Sequence, residues 1–298
     1  MTVLKRFLTF AAFLLLAGCS KKDKVLETKI LKLIDGKKAT VGVAIKDLRT
    51  EDIWTINGSK HYPMQSVFKL HLAIKVLNDV DRNVIPINQK IRINSKDLIP
   101  DTWSPIAQKY PKGGVELTVA QLLKYAVEQS DNNACDILFK LVGGTVAVHN
   151  FYQKENIKNI NIAANEAQMH KDWKVQYENW TTPLATIELL EKLIKGKLLS
   201  KKSTLMLTKM MVDSPTGPNR IKGLLPKNIP VAHKTGTSAT NKMNITAAIN
   251  DVGVVSISKN KKFVIVVYIK DSKEDMQTNE ELIAQISKTT YDFFLAQN

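Results

Sequence analysis

The sequence has very little cysteine and histidine, which excludes two kinds of architecture. Its two cysteines are Cys19, in a leader-like segment, and Cys135. A single thiol in the remaining chain cannot form an internal disulfide, so no disulfide framework is expected. Cys135 lies in an apolar helical stretch and is expected to pack as a small hydrophobic side chain. The five histidines show no metal-ligand spacing, so neither a metal site nor another cofactor is expected.

Long apolar runs and low-complexity segments are also missing. The apolar run at residues 7–16 is too short to span a bilayer comfortably. With 13 glycines, 10 prolines and 44% hydrophobic residues, the composition is that of a globular protein, and it gives no support for disorder or repeats. A chain of 298 residues suits one large domain or two closely packed subdomains.

Basic residues outnumber acidic ones, giving a net charge of +15, yet no nucleic-acid partner is expected. The lysines are scattered among acids and form no basic stripe interleaved with aromatic residues. We interpret them as a solvated lysine-rich surface on a monomer.

The N-terminus predicts export. Lys5 and Arg6 precede the apolar run, which ends in Leu16-Ala17-Gly18-Cys19. This ending resembles a bacterial lipobox, in which the cysteine is lipidated and becomes the new N-terminus. The alternative is a simple signal peptide cut near Ala17 or Gly18. We therefore expect a signal peptide at 1–18, a lipidated Cys19 with a polar tether at 19–24, and a periplasmic protein that contacts the membrane only through its lipid.

Hydrophobic patterning predicts strands near both chain ends and helices between them. The predicted helices are 25–34, 66–78, 117–129 (with Thr118 as N-cap), 134–141, 184–194 and 280–295, and the predicted strands are 41–45, 53–57, 231–237, 245–257 and 263–268. Residues 163–180 lack periodicity and are interpreted as a long ordered loop. This order predicts one sheet built from both chain ends, with a helical subdomain inserted between them.

Ser66-Val67-Phe68-Lys69 is the first of three short motifs that carry chemistry. Positions i and i+3 of a helix share a face, so the Ser66 hydroxyl and the Lys69 amine can come within hydrogen-bonding reach. Ser256-Ile257-Ser258-Lys259 has the same spacing, but it falls at the end of a predicted strand, where i and i+3 point to opposite faces. We interpret this second match as a decoy.

The other two motifs, Ser130-Asp131-Asn132 and Lys234-Thr235-Gly236, are weak signals separately. The first is typical of a helix cap or turn, and the second of a polar strand edge. An edge strand beside a cleft can, however, hold a substrate amide and supply an oxyanion donor. Glu166 lies between them in the unperiodic loop, 36 residues after Ser130.

In this order and at these separations, the sequence resembles class A serine β-lactamases over nearly the whole mature chain. Tyr62-Pro63-Met64-Gln65-Ser66 and Asn165-Glu166-Ala167-Gln168-Met169-His170 are similar to the PER-type branch, extended-spectrum cephalosporinases of Bacteroidetes-like bacteria. The resemblance implies an α/β (α+β type) fold: an antiparallel five-stranded sheet flanked by helices (about 25–61 and 213–298) and an inserted all-helical subdomain (about 62–212). The active site is expected between these two parts of the domain at 25–298.

The resemblance also implies a role for each motif residue in hydrolysis of a β-lactam ring. Ser66 attacks the lactam carbonyl, and its N–H and that of Thr237 hold the oxyanion. Either Lys69, or Glu166 acting through water, is the base for acylation. Ser130 is implied to relay a proton to the lactam nitrogen, and Asn132 to bind the side-chain amide of the substrate. Glu166 is implied to activate the deacylating water. The substrate carboxylate is implied to bind at Lys234, Thr235, Gly236 and Thr237.

Three further residues are candidates for the site, and two of them have two interpretations each. Arg220 is a second cation for the carboxylate or a surface salt bridge, and Trp103 forms a wall of the cleft entrance or packs ordinarily. His170 stands where many relatives have asparagine, and it is a candidate for placing the water. Many relatives also tie this loop with an Arg–Asp pair. Ala164 and Asn179 cannot form one, so the loop is expected to lie further from the strand edge and to admit bulky cephalosporins.

Two other functions use the same three motifs. A penicillin-binding peptidase lacks the deacylating glutamate and is inhibited by β-lactams. A β-lactam sensor stays acylated, but it normally needs transmembrane helices or a signalling partner.

Substitution of the serine is expected to have different outcomes in the two Ser-x-x-Lys matches. Ser66→Ala should abolish hydrolysis of a chromogenic cephalosporin, because the nucleophile is lost while the fold is kept. Ser256→Ala should change it little. Near-normal turnover by Ser66→Ala would refute the assignment.

Overall fold

The computed structural model describes residues 21–297, so Cys19 and the predicted signal peptide lie outside the described residues. The helices are α1 (Lys21–Ile34), α2 (Phe68–Asp81), α3 (Pro105–Lys109), α4 (Val119–Glu128), α5 (Asn132–Leu141), α6 (Gly144–Lys154), α7 (Glu166–Lys171), α8 (Pro183–Ile194), α9 (Lys201–Asp213) and α10 (Met276–Leu295). The strands are β1 (Thr40–Asp47), β2 (Ile53–Ile56), β3 (Tyr62–Pro63), β4 (Lys90–Asn94), β5 (Gly113–Thr118), β6 (Ile160–Asn161), β7 (Trp180–Thr181), β8 (Val231–Thr237), β9 (Thr246–Ser256) and β10 (Lys262–Ser272). None of these helices is long and apolar enough to cross a membrane.

The main sheet is antiparallel, has the order β2-β1-β10-β9-β8, and joins the two ends of the chain. The expected five-stranded sheet built from both ends is thus confirmed. The central strand β10 is apolar on both faces, because both are covered. Along β10, Ile265 and Val267 pack towards α1 and α10, whereas Val264 and Val266 pack towards the inserted helices.

The insert is mainly helical, and α2 is its central element. Ten of the 14 residues of α2 are buried, including Lys69 and His71, as expected for a helix surrounded by others. The prediction of an all-helical insert missed short strands, which form a three-stranded sheet (β3-β7-β6) and a two-stranded one (β4-β5). These strands have two to six residues, too few for periodicity to reveal.

Several helix boundaries in the structure differ from those predicted from the sequence. Helix α1 begins at Lys21, so most of the predicted tether is helical. The helix predicted from residue 117 begins at Val119, after the predicted cap Thr118, which accepts a hydrogen bond from the N–H of Gln121 (3.2 Å). The predicted loop at 163–180 contains α7, which begins at Glu166.

Candidate functional site

The nucleophile candidate lies on a strained turn between the sheet and the insert. Ser66 belongs to a short 3₁₀ helix, Gln65–Val67, that leads into α2. Gln65 has φ +47°, the left-handed region that residues other than glycine rarely adopt. The turn also lies close to β8. A β-carbon added to Gly236 of β8 would clash with the carbonyl oxygen of Met64. Only glycine permits this approach.

Lys69 brings four candidate residues together. Its Nζ donates to Ser66 Oγ (2.8 Å), to the carbonyl oxygen of Ser130 (3.1 Å) and to Asn132 Oδ1 (2.5 Å). These bonds use all three N–H groups of an ammonium. Glu166 Oε1 lies 2.7 Å from Lys69 Nζ. Since no N–H remains to be donated to it, this contact is an ion pair. The Lys69 side chain is fully buried, so the carboxylate compensates a charge removed from water.

Ser130 and Lys234 form the second half of the site. Lys234 Nζ donates to Ser130 Oγ (2.9 Å) and to the carbonyl oxygen of Thr235 (3.2 Å). Ser130 has φ +58°, and the next residue, Asp131, anchors this turn through Ser104 Oγ and the N–H groups of Ile106 and Ala134. Burial, and secondarily the nearby Lys69 charge, lower the pKa of Lys234 to about 7.

The edge of β8 has a backbone N–H that can donate into the cleft, that of Thr237. The N–H of Ser238 donates to Ala248 O on β9 (2.9 Å). Because N–H directions alternate along a strand, the N–H of Thr237 points away from β9 towards the cleft. The N–H of Ser66 lies in the first turn of its short helix, where no backbone acceptor precedes it.

Arg220 is buried beside this edge; it does form a salt bridge, with Glu280, but not one at the surface. Its Nη2 donates to Thr237 Oγ1 (2.8 Å), its Nη1 to the carbonyl oxygens of Gly236 (3.3 Å) and Asn250 (3.0 Å), and its Nε to Glu280 Oε1 (3.0 Å). Four of its five N–H groups are occupied by these described residues, which leaves one on Nη2, and Arg220 lines a cavity of the site.

The site opens into two adjoining cavities of about 290 Å³ and 500 Å³. Both are lined by Gln65, Trp103, Asn132, Glu166 and Thr237. Trp103 is 57% exposed and donates its indole N–H to Gln129 O (2.9 Å), so it forms a wall of the cleft rather than part of the core. His170, in contrast, lines only the outer cavity, at the exposed end of α7.

Hydrogen bonds of one asparagine, and not an Arg–Asp ion pair, hold the loop at 163–180 in place. The amide of Asn179 accepts from the N–H groups of Ala163 (2.8 Å) and Ala164 (2.9 Å) and donates to Ala164 O (2.7 Å). One buried amide therefore joins the two ends of this loop, in a chain that offers no Arg–Asp pair at these positions.

Asp136 positions Glu166 and was missed from the sequence. Its carboxylate accepts from the N–H groups of Glu166 (2.8 Å) and Ala167 (2.9 Å), at the start of α7. Burial raises its pKa to about 6. Nothing in the motif pattern identifies this residue, because the contact depends on how α5 and α7 pack. Thr216 was also missed; it lines the inner cavity and accepts a hydrogen bond from Thr235 Oγ1 (2.8 Å).

Residues 21–297 contain no group of three or more His, Cys, Asp or Glu that could hold a metal ion. The decoy Ser256 ends β9, in the register opposite Lys262, and lines neither of the two cavities.

Comparison with known proteins gives consistent matches over nearly the whole chain. A family model described as "Beta-lactamase enzyme family" matches residues 24–294. Beta-lactamase VEB-1 of Pseudomonas aeruginosa is 44% identical, over 99% of this chain and 99% of its own. Extended-spectrum beta-lactamase PER-1 of the same organism is 45% identical, over 93% and 89%. The crystal structure of TLA-1 extended-spectrum beta-lactamase has a TM-score of 0.90 at 48% identity and covers 92% of this chain and 100% of its own.

The lowered pKa of Lys234 predicts how the KM for an anionic β-lactam depends on pH. The substrate carboxylate binds the protonated ammonium preferentially, so KM should rise as pH increases through about 7 and Lys234 loses its proton. An arginine keeps its charge throughout, so Lys234→Arg should show a flatter KM between pH 6 and 9. Steady-state kinetics across this range measures both. A wild-type KM that is constant from pH 6 to 9 would contradict the prediction.

Proposed function

The chain belongs to the β-lactamase enzyme family, as a class A serine enzyme of the PER-like branch, and we propose that it hydrolyses β-lactams through an acyl ester on Ser66. Hydrolysis of these drugs makes it an antibiotic-resistance enzyme. One observation carries the assignment of residues: the buried Lys69 ammonium contacts Ser66, Ser130, Asn132 and Glu166 at once.

Acylation begins with removal of the Ser66 proton and attack of Oγ on the lactam carbonyl. Lys69 contacts Oγ directly and can act as the base once it has passed a proton to Glu166, 2.7 Å away; the alternative is that Glu166 removes the proton through an intervening water. The N–H groups of Ser66 and Thr237 stabilise the oxyanion. Ser130 then passes a proton to the leaving nitrogen, and Lys234 holds its hydroxyl in place for this transfer.

The substrate is fixed at both ends of the cleft. Asn132 donates its amide to Thr102 Oγ1 (2.6 Å) and lines both cavities, where it can bind the acylamido side chain of the drug. At the other end, Thr235, Thr237 and Arg220 line the inner cavity and Lys234 lies behind Ser130, and this group binds the carboxylate. Trp103 forms the wall between the inner and outer parts, and His170 contacts substituents in the outer part.

Deacylation distinguishes this proposal from a penicillin-binding peptidase or a sensor. Glu166 lies inside the cleft, held at its N–H by Asp136, and its carboxylate can activate the water that attacks the ester. Neither alternative has an observation in its favour. Many turnovers of a chromogenic cephalosporin per molecule support the proposal, whereas one equivalent of colour per molecule would support an alternative.

Glu166→Gln should acylate and then stall, because an amide cannot accept the proton of the water. Intact-mass spectrometry should show a stable drug adduct on Ser66, and Glu166→Gln with Ser66→Ala should show none. Turnover of Glu166→Gln at the wild-type rate would mean that another base activates the water.

The substrate range is expected to extend to cephalosporins with bulky acyl side chains. The wide outer cavity of about 500 Å³ supports this proposal, as does similarity to relatives named extended-spectrum enzymes. Steady-state kinetics should show turnover of a penicillin, an early cephalosporin and an oxyimino-cephalosporin. Efficient turnover of the penicillin alone would refute the broad range and leave the β-lactamase assignment intact.

We also propose export to the periplasm with a lipid on Cys19, on the basis of the leader sequence. Cys19→Ala should release soluble protein or leave the precursor uncut, as measured by membrane fractionation and N-terminal mass spectrometry. A fully soluble wild-type protein with an unmodified N-terminus would contradict the anchor.

A further inference from the structure

The backbone just before the nucleophile is held on both sides. The N–H of Met64 donates to Asn179 O in the loop (2.8 Å). On the other side, Asn250 Nδ2 donates to the carbonyl oxygens of Met64 (3.1 Å) and Pro63 (2.8 Å). The residue that follows is the strained Gln65, and Ser66 comes next. A strained conformation persists only where its surroundings fix it, and these contacts do so.

Asn250 joins three parts of the site through one residue. It lies on β9 directly opposite Gly236 of β8 and is fully buried. Its side chain holds the turn before Ser66, and its carbonyl oxygen accepts from Arg220 Nη1 (3.0 Å). The turn, the edge strand and the buried arginine therefore share a single contact residue.

This arrangement is not the most favourable one for stability. The side-chain oxygen of Asn250 is buried and has no hydrogen-bond partner among the described residues. A buried acceptor without a partner costs free energy. The Asn250 side chain thus donates two hydrogen bonds to the nucleophile turn, while its own oxygen remains without a partner among the described residues.

We propose that Asn250 is a positioning residue that sets the separation between the two oxyanion-hole N–H groups. One of these, on Ser66, lies two residues after Met64, and the other, on Thr237, lies one residue after Gly236. Asn250 contacts Met64 and pairs with Gly236, so it fixes the spacing of the two segments. Oxyanion donors act only within a narrow distance range. The inference rests on the proposed roles of Ser66 and Thr237.

Asn250→Ala tests this inference against a matched control. Asn279 is also buried, and its Nδ2 donates to two consecutive carbonyl oxygens, those of Glu274 (3.1 Å) and Asp275 (2.7 Å), at the start of α10. Asn250→Ala loses two side-chain hydrogen bonds and Asn279→Ala loses three, since Asn279 Oδ1 also accepts from Ser272 Oγ (2.8 Å), so the control removes at least as much hydrogen bonding as the test variant. Asn250→Ala should lower kcat/KM for a chromogenic cephalosporin by about tenfold to a hundredfold, whereas Asn279→Ala should keep the wild-type value.

A vibrational measurement separates positioning from loss of stability. On the Glu166→Gln background, the acyl-enzyme ester carbonyl is observed by difference infrared spectroscopy. Hydrogen bonds from the oxyanion hole weaken the C=O bond and lower its stretching frequency. Adding Asn250→Ala should shift the band to higher wavenumber, and adding Asn279→Ala should leave it unmoved.

An unmoved band in Asn250→Ala, or equal losses of kcat/KM in both alanine variants, would overturn the inference. If Asn250→Ala does not fold, Asn250→Ser is used instead, because its hydroxyl can donate one hydrogen bond. On the Glu166→Gln background, Asn250→Ser should place the ester band at a higher wavenumber than Glu166→Gln alone does. A band at the same wavenumber as that of Glu166→Gln alone again overturns the inference. Absence of turnover in the wild-type enzyme would instead mean that the proposed function has failed.

Discussion

The structure of the site depends on the burial of one ammonium group, that of Lys69. A charge fully removed from water is tolerated only when oxygens surround it, so the fold has to bring a hydroxyl, a carbonyl, an amide and a carboxylate to the same point. These oxygens come from the nucleophile turn, α5 and α7, with the segment between α4 and α5. The electrostatic requirement of a single lysine thereby specifies how separate elements of the insert pack.

A second buried lysine gives the cleft its preference for anions. Lys234 faces the same serine as Lys69 from the side of the sheet, and Arg220 lies behind the strand edge. Lys69 and Arg220 are each paired with a carboxylate, whereas Lys234 is left with hydroxyl and carbonyl partners, and burial and the Lys69 charge disfavour its protonated form. A bound anion would favour that form, so protonation of Lys234 and binding of a carboxylate are coupled.

Long periodic elements and the motif residues could be predicted from the sequence, because their signals are local. Strand β8 matched its predicted bounds, and α8 and α10 were found within a few residues. Short elements such as α7 were missed because six residues carry no periodicity. The contacts of Asp136, Asn179 and Asn250 were missed for a different reason. Each joins segments distant in sequence, so their partners exist only once the chain has folded.

The sheet order has a consequence for when the protein can fold. Its central strands, β10 and β9, come from the last part of the chain, and β1 has no neighbour on its inner side until β10 is present. Helix α1 likewise packs against α10, the final helix. The N-terminal residues must therefore wait for the C-terminal ones, and folding during synthesis is delayed until translation is nearly finished. Until then β1 and α1 lack their main packing partners, so a chain truncated before β9 could not complete this sheet.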